Sequence, residues 1–491
     1  MSGRFKVRRG ISLRGVGLLC VTGIAGLGAV VANHEASATV LVQSATSADA
    51  AAAVRGDGGT VTTELDVIAG VVARVPVSRM ASLRTDPRVR SLSGDAGGKL
   101  QGVLSGTTYD PVVEPGSMYQ TARMLGIDKS WATGQTGAGI GIAVVDSGVA
   151  ASSFFGARLI AGADFSGGNS PLSDGFGHGT HIAGIIAGSS GKVGAATEFT
   201  GIAPGAKIVS VKVADANGAT SLIKILQGID WVYKNRAANN IKVVNLSLGA
   251  PAYPDYVNDP LAAAVERLWK NGVTVVASAG NIGQGKNLTS PAYDPYVISV
   301  GALDTNGTVN TNDDFPASYS ASASTANDRG PDFIVPARSI QSLAATASKL
   351  VANAAATAKV GANFVKGTGT SQAAAIVSGE VALLYAEGPL QTPDDMKSNM
   401  CGLASRGPWD VRQQGCGVPA LRIAASEIDF SMNNHMDHRN ATVSATTADP
   451  SADLVTRGAS WQGASWQGSS WQGSSWQGAS WQGSSWQGSA G

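Results

Sequence analysis

Short apolar runs with little internal alternation recur through the middle of the chain, at residues 140–145, 207–213, 242–246, 273–277 and 297–300. A strand with one wet face alternates apolar and polar positions, so runs without alternation predict strands covered on both faces. Between them the period changes. Leu222, Ile225, Leu226, Ile229 and Val232 fall on one face of a helix, and residues 262–269 form a second helix that Asn271-Gly272 can end in a left-handed turn. Alternating strands and helices predict an α/β fold, a doubly wound parallel sheet with helices on both faces. Ligand sites in such sheets lie beyond the carboxyl ends of the strands, and Asp146 directly follows the run at 140–145.

The pattern ahead of this region is different. Residues 39–43 read as a strand, 47–54 as an Ala-rich helix, 60–75 as two strands, 78–83 as a helix and 89–92 as a last strand. That βαββαβ order is ferredoxin-like. Residues 94–116 are rich in Gly, Ser and Pro and predict an exposed, cleavable linker. At the start, Arg4, Lys6, Arg8, Arg9 and Arg14 precede an apolar stretch over 15–32, followed by the small residues Ala36-Ser37-Ala38. This predicts an export signal rather than a membrane anchor, because the stretch is Gly-rich and barely reaches the ~18–20 residues that span a bilayer. At the other end, Trp461, Trp466, Trp471, Trp476, Trp481 and Trp486 repeat every five residues among Gly and Ser. A period of five makes no Trp stripe on a strand or a helix, so a disordered, flexible tail is expected. The layout predicted is a signal over 1–38, a small α+β domain over 39–95, a linker with a maturation site over 96–120, a catalytic domain over 121–428 and a tail over 429–491.

A formal net charge of +1 with 14% charged residues argues against nucleic acid or an anionic membrane as a partner. No second apolar stretch approaches spanning length, so no membrane span is expected once the signal is removed. Cys20 lies within the signal. In an oxidising compartment the remaining pair, Cys401 and Cys416, is most simply a disulfide, which on the chain-entropy model stabilises by ~3 kcal/mol.

Three short segments then carry the chemistry: Ala143-Val144-Val145-Asp146-Ser147-Gly148, Gly177-His178-Gly179-Thr180-His181 and Gly367-Thr368-Gly369-Thr370-Ser371-Gln372-Ala373. A nucleophilic hydroxyl needs a base, and the base needs an acid to fix its tautomer. Ser371 stands at a helix start after a glycine loop, where its own N–H can meet an oxyanion. Asn281 follows Ser278-Ala279-Gly280 just past a buried strand, where it could simply favour a turn. His181 lies three residues after His178, and the spacing lacks the adjacent Glu and the second His four residues on that zinc helices use.

These segments, in the order Asp, His, Ser, resemble the subtilisin-like (subtilase) serine peptidases over roughly residues 130–425. The resemblance implies catalysis by Asp146, His178 and Ser371, an oxyanion donor in Asn281, and a substrate-pairing wall in Ser247, Leu248 and Gly249. His181 is left a structural role. It also implies that residues 39–95 are an inhibitory propeptide, removed when the precursor cuts itself. The opposing wall, between Asn281 and Pro291, contains Gln284, Lys286 and Asn287 but no acid, so an apolar or aromatic side-chain preference is expected over Arg or Lys. The chain departs from the family pattern at Gln372, where Met is usual, and at Ala375, where Pro is usual.

No cofactor is expected. The oxygen-rich stretch Asp304, Asn306, Asn310, Asn312, Asp313 and Asp314 lacks EF-hand spacing and reads as a polar loop before it reads as a structural calcium site, although subtilases often bind calcium elsewhere. The expected protein is therefore a secreted endopeptidase, extracellular or associated with the cell wall. Its partners are polypeptide substrates and its own propeptide. For the Trp tail, cell-wall or glycan contact is weighed against a dispensable linker. Two other readings stand beside this: a catalytically silent subtilase scaffold that binds proteins or cell wall, and an ester hydrolase, whose Gly-x-Ser-x-Gly signature is absent around Ser371.

Overall fold

The computed structural model describes residues 37–94, 97–100, 110–168, 170–326, 328–388 and 391–421. The Trp tail, and the expected export signal apart from its last two residues, lie outside the described residues. Strands β1 (Ser37–Gln43), β2 (Thr60–Leu65), β3 (Gly70–Pro76) and β4 (Ser91–Gly94), with helices α1 (Ser47–Gly56) and α2 (Met80–Thr85), build an antiparallel sheet of order β2-β3-β1-β4. This is the ferredoxin-like arrangement, with β1 starting two residues before the predicted position. Val40, Val42, Val71, Ala73 and Val75 pack with Ala50, Ala53 and Val54 of α1. Leu41 and Val72, on the other face, join Leu65, Val67 and Ile68 in a second buried layer. Burial on both faces is why β1 and β3 read as apolar runs.

The segment predicted as exposed linker contains a strand, β5 (Gly97–Leu100). The larger part follows with α3 (Met118–Met124), α4 (Ile127–Ala132), β6 (Gly141–Asp146), β7 (Leu159–Asp164), α5 (His178–Ala187), β8 (Lys207–Lys212), β9 (Ala219–Ser221), α6 (Leu222–Asn235), β10 (Ile241–Leu246), β11 (Leu248–Gly249), α7 (Pro260–Trp269) and β12 (Thr274–Ser278). The chain then forms β13 (Ile298–Asp304), β14 (Phe315–Pro316), β15 (Phe333–Pro336), β16 (Ile340–Leu343), α8 (Lys349–Asn353), β17 (Lys359–Val360), β18 (Phe364–Gly367), α9 (Thr370–Glu387) and α10 (Pro393–Leu403). Parallel strands run in the order β7-β8-β6-β10-β12-β13-β15, and β14 pairs antiparallel with β13. From β6 the chain fills one side of the sheet and then, from β10, the other, which makes the end of β6 the switch point.

Alternation along β6 assigns the two faces. Ile142 and Val144 pack with α5 and α9, whereas Ala143 and Val145 pack with the apolar faces of α6 and α7. The second layer of the ferredoxin-like unit belongs to the same cluster as α6 and α7, so that unit sits on those two helices. Polar contacts register the docking. Val67 N donates to Asp230 Oδ1 at 2.9 Å, and Lys234 Nζ lies 3.0 Å from both Asp66 and Asp230. At the far end, Cys401 of α10 and Cys416 form a disulfide, Val418–Pro419 pairs with Ala404–Ser405, and Gly417 O accepts from Ile334 N of β15.

Helix α9 is buried on every side from Thr370 to Tyr385. That cover includes Glu380, whose two carboxylate oxygens have no hydrogen-bond partner among the described residues, and burial pushes its pKa well above the usual 4.5. A carboxyl held above its unfolded value favours folding most at pH below about 4.5 and progressively less as pH rises toward its folded value. Glu380→Met keeps the volume and removes the unmatched oxygens, so it should stabilise by roughly 1–3 kcal/mol near neutral pH. Thermal melting in a Ser371→Ala background checks this: the variant should melt higher than its parent, by a margin that widens from pH 5 to pH 8.

Candidate active site

Asp146 is the last residue of β6, His178 the first of α5, and Ser371 the second of α9. Helices α5 and α9 pack side by side on one sheet face, which carries both helix starts to the carboxyl end of β6. Gly179 permits the approach: a Cβ there would lie 2.2 Å from Gly148 O and 3.1 Å from Asp146 Oδ1. The result is a buried pair in which His178 Nδ1 stands 2.9 Å from each Asp146 carboxylate oxygen. A carboxylate only accepts, so Nδ1 carries the proton and Nε2 is the basic nitrogen of the neutral ring.

The carboxylate is itself held. Ser147 N donates to Asp146 Oδ1 at 2.7 Å, and Ser147 Oγ lies 3.2 Å from the same oxygen and 2.8 Å from Asp174 Oδ1. Asp174 also accepts from Gly177 N, Thr180 N and Thr180 Oγ, pinning the first turn of α5, while burial pushes its pKa up against those bonds. His181 is buried beside this site, with Nε2 3.2 Å from Val365 O. Burial, with the nearby His178, lowers its pKa to about 3, so it is neutral.

Ser371 is fixed by strand β10 and the residue after it. Ser371 Oγ donates to Ser247 O at 3.1 Å, and Ser247 Oγ donates back to Ser371 O at 2.9 Å. Asn245 Nδ2 donates to Ser247 Oγ at 2.9 Å, and Asn245 Oδ1 accepts from Ser378 Oγ at 3.0 Å. Asn281 Oδ1 accepts from both Thr370 N and Thr370 Oγ at 2.9 Å, which turns its Nδ2 to the other side of the amide. Sequence reasoning missed Asn245, Ser378 and Asp174 as supports. Each is a polar residue in or beside a buried element, and that unmatched polarity was the available signal.

Ser247, Leu248 and Gly249 continue the chain past β10, and the last two form β11. The segment ahead of Pro291 is tied to this one where Ala250 and Ser290 exchange backbone hydrogen bonds, each 2.9 Å. A Cβ on Gly249 would lie 2.6 Å from Thr289 Oγ1, so the segment beside it leaves no room for a side chain there. Strand β5 pairs antiparallel with β11 on one side and with β9 on the other.

Among the described residues no three or more His, Cys, Asp or Glu side chains gather as metal ligands would, in the oxygen-rich loop or elsewhere. Asp304 pairs with Arg338 at 2.9 Å, Asp313 accepts from Thr308, and burial with the neighbouring Asp313 and Asp304 lifts the Asp314 pKa to about 6.

The subtilase family model matches residues 137–417. Serine protease AprX of Bacillus subtilis (strain 168) is 35% identical over 269 residues, covering 53% of this chain and 60% of that protein. Minor extracellular protease Epr of the same organism is 31% identical, covering 62% of this chain and 41% of Epr. The chain thus spans less than two thirds of either relative. Extracellular serine proteinase of Thermus sp. (strain Rt41A) is 32% identical over 353 residues, 72% of this chain and 74% of that protein. Fervidolysin from Fervidobacterium pennivorans, a crystal structure, shares the fold with a TM-score of 0.62 at 22% identity, over 79% of this chain and 60% of that one. With the family model matching more than half of its length and the segments that hold Asp146, His178 and Ser371 in the order Asp, His, Ser, the chain belongs to the subtilase family.

Proposed function

We propose that this chain is a secreted serine endopeptidase, made as a precursor that cuts itself, with Ser371 as nucleophile, His178 as general base and Asp146 as the orienting acid. The observation that carries this reading is the buried His178–Asp146 pair, whose geometry assigns the basic nitrogen to Nε2, at the same sheet end as the start of α9. In this mechanism Nε2 takes the Ser371 Oγ proton as Oγ attacks a peptide carbonyl, and returns it to the departing amine. Negative charge on the carbonyl oxygen is met by the Ser371 N–H at the helix start and by Asn281 Nδ2. Water then hydrolyses the acyl-enzyme by the same proton path in reverse.

Substrate is proposed to add as an extended strand between β11 and β9, a mode that reads main chain first and tolerates many sequences. In the precursor β5 occupies that position, and this supports an inhibitory role for residues 39–95. An acid to select Arg or Lys is absent from 281–291, which favours uncharged side chains next to the cleaved bond. Export rests on the basic and apolar start of the chain and on the extracellular relatives, and cell-wall attachment through the Trp repeats stays a proposal of composition alone. Hydrolysis of casein, blocked by a serine-directed inhibitor, tests the reading; a mature protein inert toward casein would favour the silent scaffold.

A further inference from the structure

Two buried carboxylates share one hydroxyl beside His178. Ser147 Oγ lies 2.8 Å from Asp174 Oδ1 and 3.2 Å from Asp146 Oδ1, and it accepts from Gly179 N at 3.0 Å. A hydroxyl has one proton, so it donates to one of the two acids and turns a lone pair on the other. Distance and the count of partners decide which. The contact to Asp174 has the ordinary length of an O–H···O bond, and the contact to Asp146 is longer than that range. Asp146 Oδ1 already accepts from Ser147 N at 2.7 Å and faces His178 Nδ1 at 2.9 Å. Asp174 accepts from Gly177 N at 2.6 Å on Oδ1, and from Thr180 N at 2.8 Å and Thr180 Oγ at 2.7 Å on Oδ2. With the Ser147 proton added, four donors meet the four acceptor sites of a carboxylate, a set matched to the anion although burial opposes it.

Resting on the peptidase reading above, we propose that Asp174 is a positioning residue for the general base: its charge draws the Ser147 proton away from Asp146 and makes His178 more basic. Two effects act in one direction. An Asp146 that receives no hydroxyl keeps its charge for the ring, and a second anion stands one hydroxyl further along the same buried chain; both favour the imidazolium. If Asp174 is made neutral, the hydroxyl turns to Asp146 and the second anion is gone, so His178 holds its proton less tightly. The other groups around the pair leave this logic intact. His181 on α5 is neutral, with its pKa lowered to about 3, and β16 carries no titratable side chain. Lys212, at the end of β8, donates through Nζ to Ser173 O at 2.8 Å and Ser173 Oγ at 3.1 Å, and Lys349 of α8 donates to Asn217 Oδ1 at 2.7 Å. Helix α9 brings Ser371 itself.

The test titrates His178 directly, by NMR of ring-labelled histidine in the full chain carrying Ser371→Ala. The chain has five histidines, so the spectrum is simple, and adding His178→Gln identifies the signal. In Asp174→Asn, His178 should titrate about one pH unit below the parent, the size expected when a nearby buried charge is lost. An Asn must turn its NH₂ toward Gly177 N or Thr180 N, which can loosen the turn, so Ser147→Ala is the second variant. If the hydroxyl proton belongs to Asp174, Ser147→Ala takes no donor from Asp146, and His178 should stay within about 0.3 pH unit of the parent. A rise in Ser147→Ala shows that the proton belonged to Asp146 and overturns the proposal. So does an unmoved or raised His178 in a folded Asp174→Asn. Should Asp174→Asn fail to fold, the Ser147→Ala titration decides alone. Casein hydrolysis by the wild type is measured alongside: its absence overturns the peptidase reading, whereas the titration needs no activity and tests Asp174 by itself.

Discussion

Ser371→Ala is expected to abolish casein hydrolysis while leaving the melting temperature nearly unchanged. The nucleophile Oγ is lost, yet the backbone of Ser371 still accepts from Ser247 Oγ, so the start of α9 stays anchored. The expected loss in kcat is roughly 10⁶-fold, a magnitude taken from the matching change in subtilisin rather than derived from this structure. His178→Ala should cost about as much alone and little more when added to Ser371→Ala, because base and nucleophile act in one proton transfer. Single-turnover hydrolysis of a chromogenic peptide measures both, with the variants freed of their N-terminal unit by an added protease that is then removed. Additive losses from the two changes would show that they do not act as a unit.

Asp146→Asn should lower kcat by on the order of 10⁴-fold with a small change in KM, the size of loss seen for the equivalent change in another triad peptidase. Both oxygens of Asp146 face His178 Nδ1, and Oδ1 also accepts from Ser147 N. An amide offers one oxygen. With that oxygen committed to Ser147 N, the NH₂ group faces the ring and donates to Nδ1, forcing the proton onto Nε2, where it blocks the base. The pH profile separates this from simple loss of fold: a stable variant whose activity recovers partly at high pH, where hydroxide supplies the missing base, fits the tautomer account. A variant that keeps wild-type kcat would remove Asp146 from the mechanism.

Much of this architecture was legible because buried parallel strands have a strong signature. The runs at 140–145, 207–213 and 242–246 coincide with β6, β8 and β10 to within a residue at each end, and the heptad-like spacing of Leu222 to Val232 falls within α6. Asp146, His178 and Ser371 stand out in the sequence for a related reason: each is a polar residue within two positions of a glycine at the end or start of a buried element, where burial would be costly without a partner. What was hidden depends on contacts between distant segments. Strand β5 carries two glycines and no apolar alternation, and becomes a strand only because β9 and β11 supply its partners. Asn245 looks like an interruption of a strand until Ser247 and Ser378 are placed beside it. The docking of Val67 on Asp230 joins residues 163 positions apart, beyond any local pattern.

The disulfide at the end of the fold has a mechanical consequence. Tension applied beyond Leu421 first reaches the two-residue pairing of Val418–Pro419 with Ala404–Ser405, where each hydrogen bond contributes only ~1 kcal/mol. Were that pairing to shear, the load would arrive at Cys416, where the chain is bonded covalently to Cys401 of α10. The pull is then shared with a helix and, through Cys416 N and Asp332 O just ahead of β15, with the edge of the parallel sheet. Peeling stops there, short of α9, so a tethered enzyme would keep Ser371 seated under forces that unzip its last few residues.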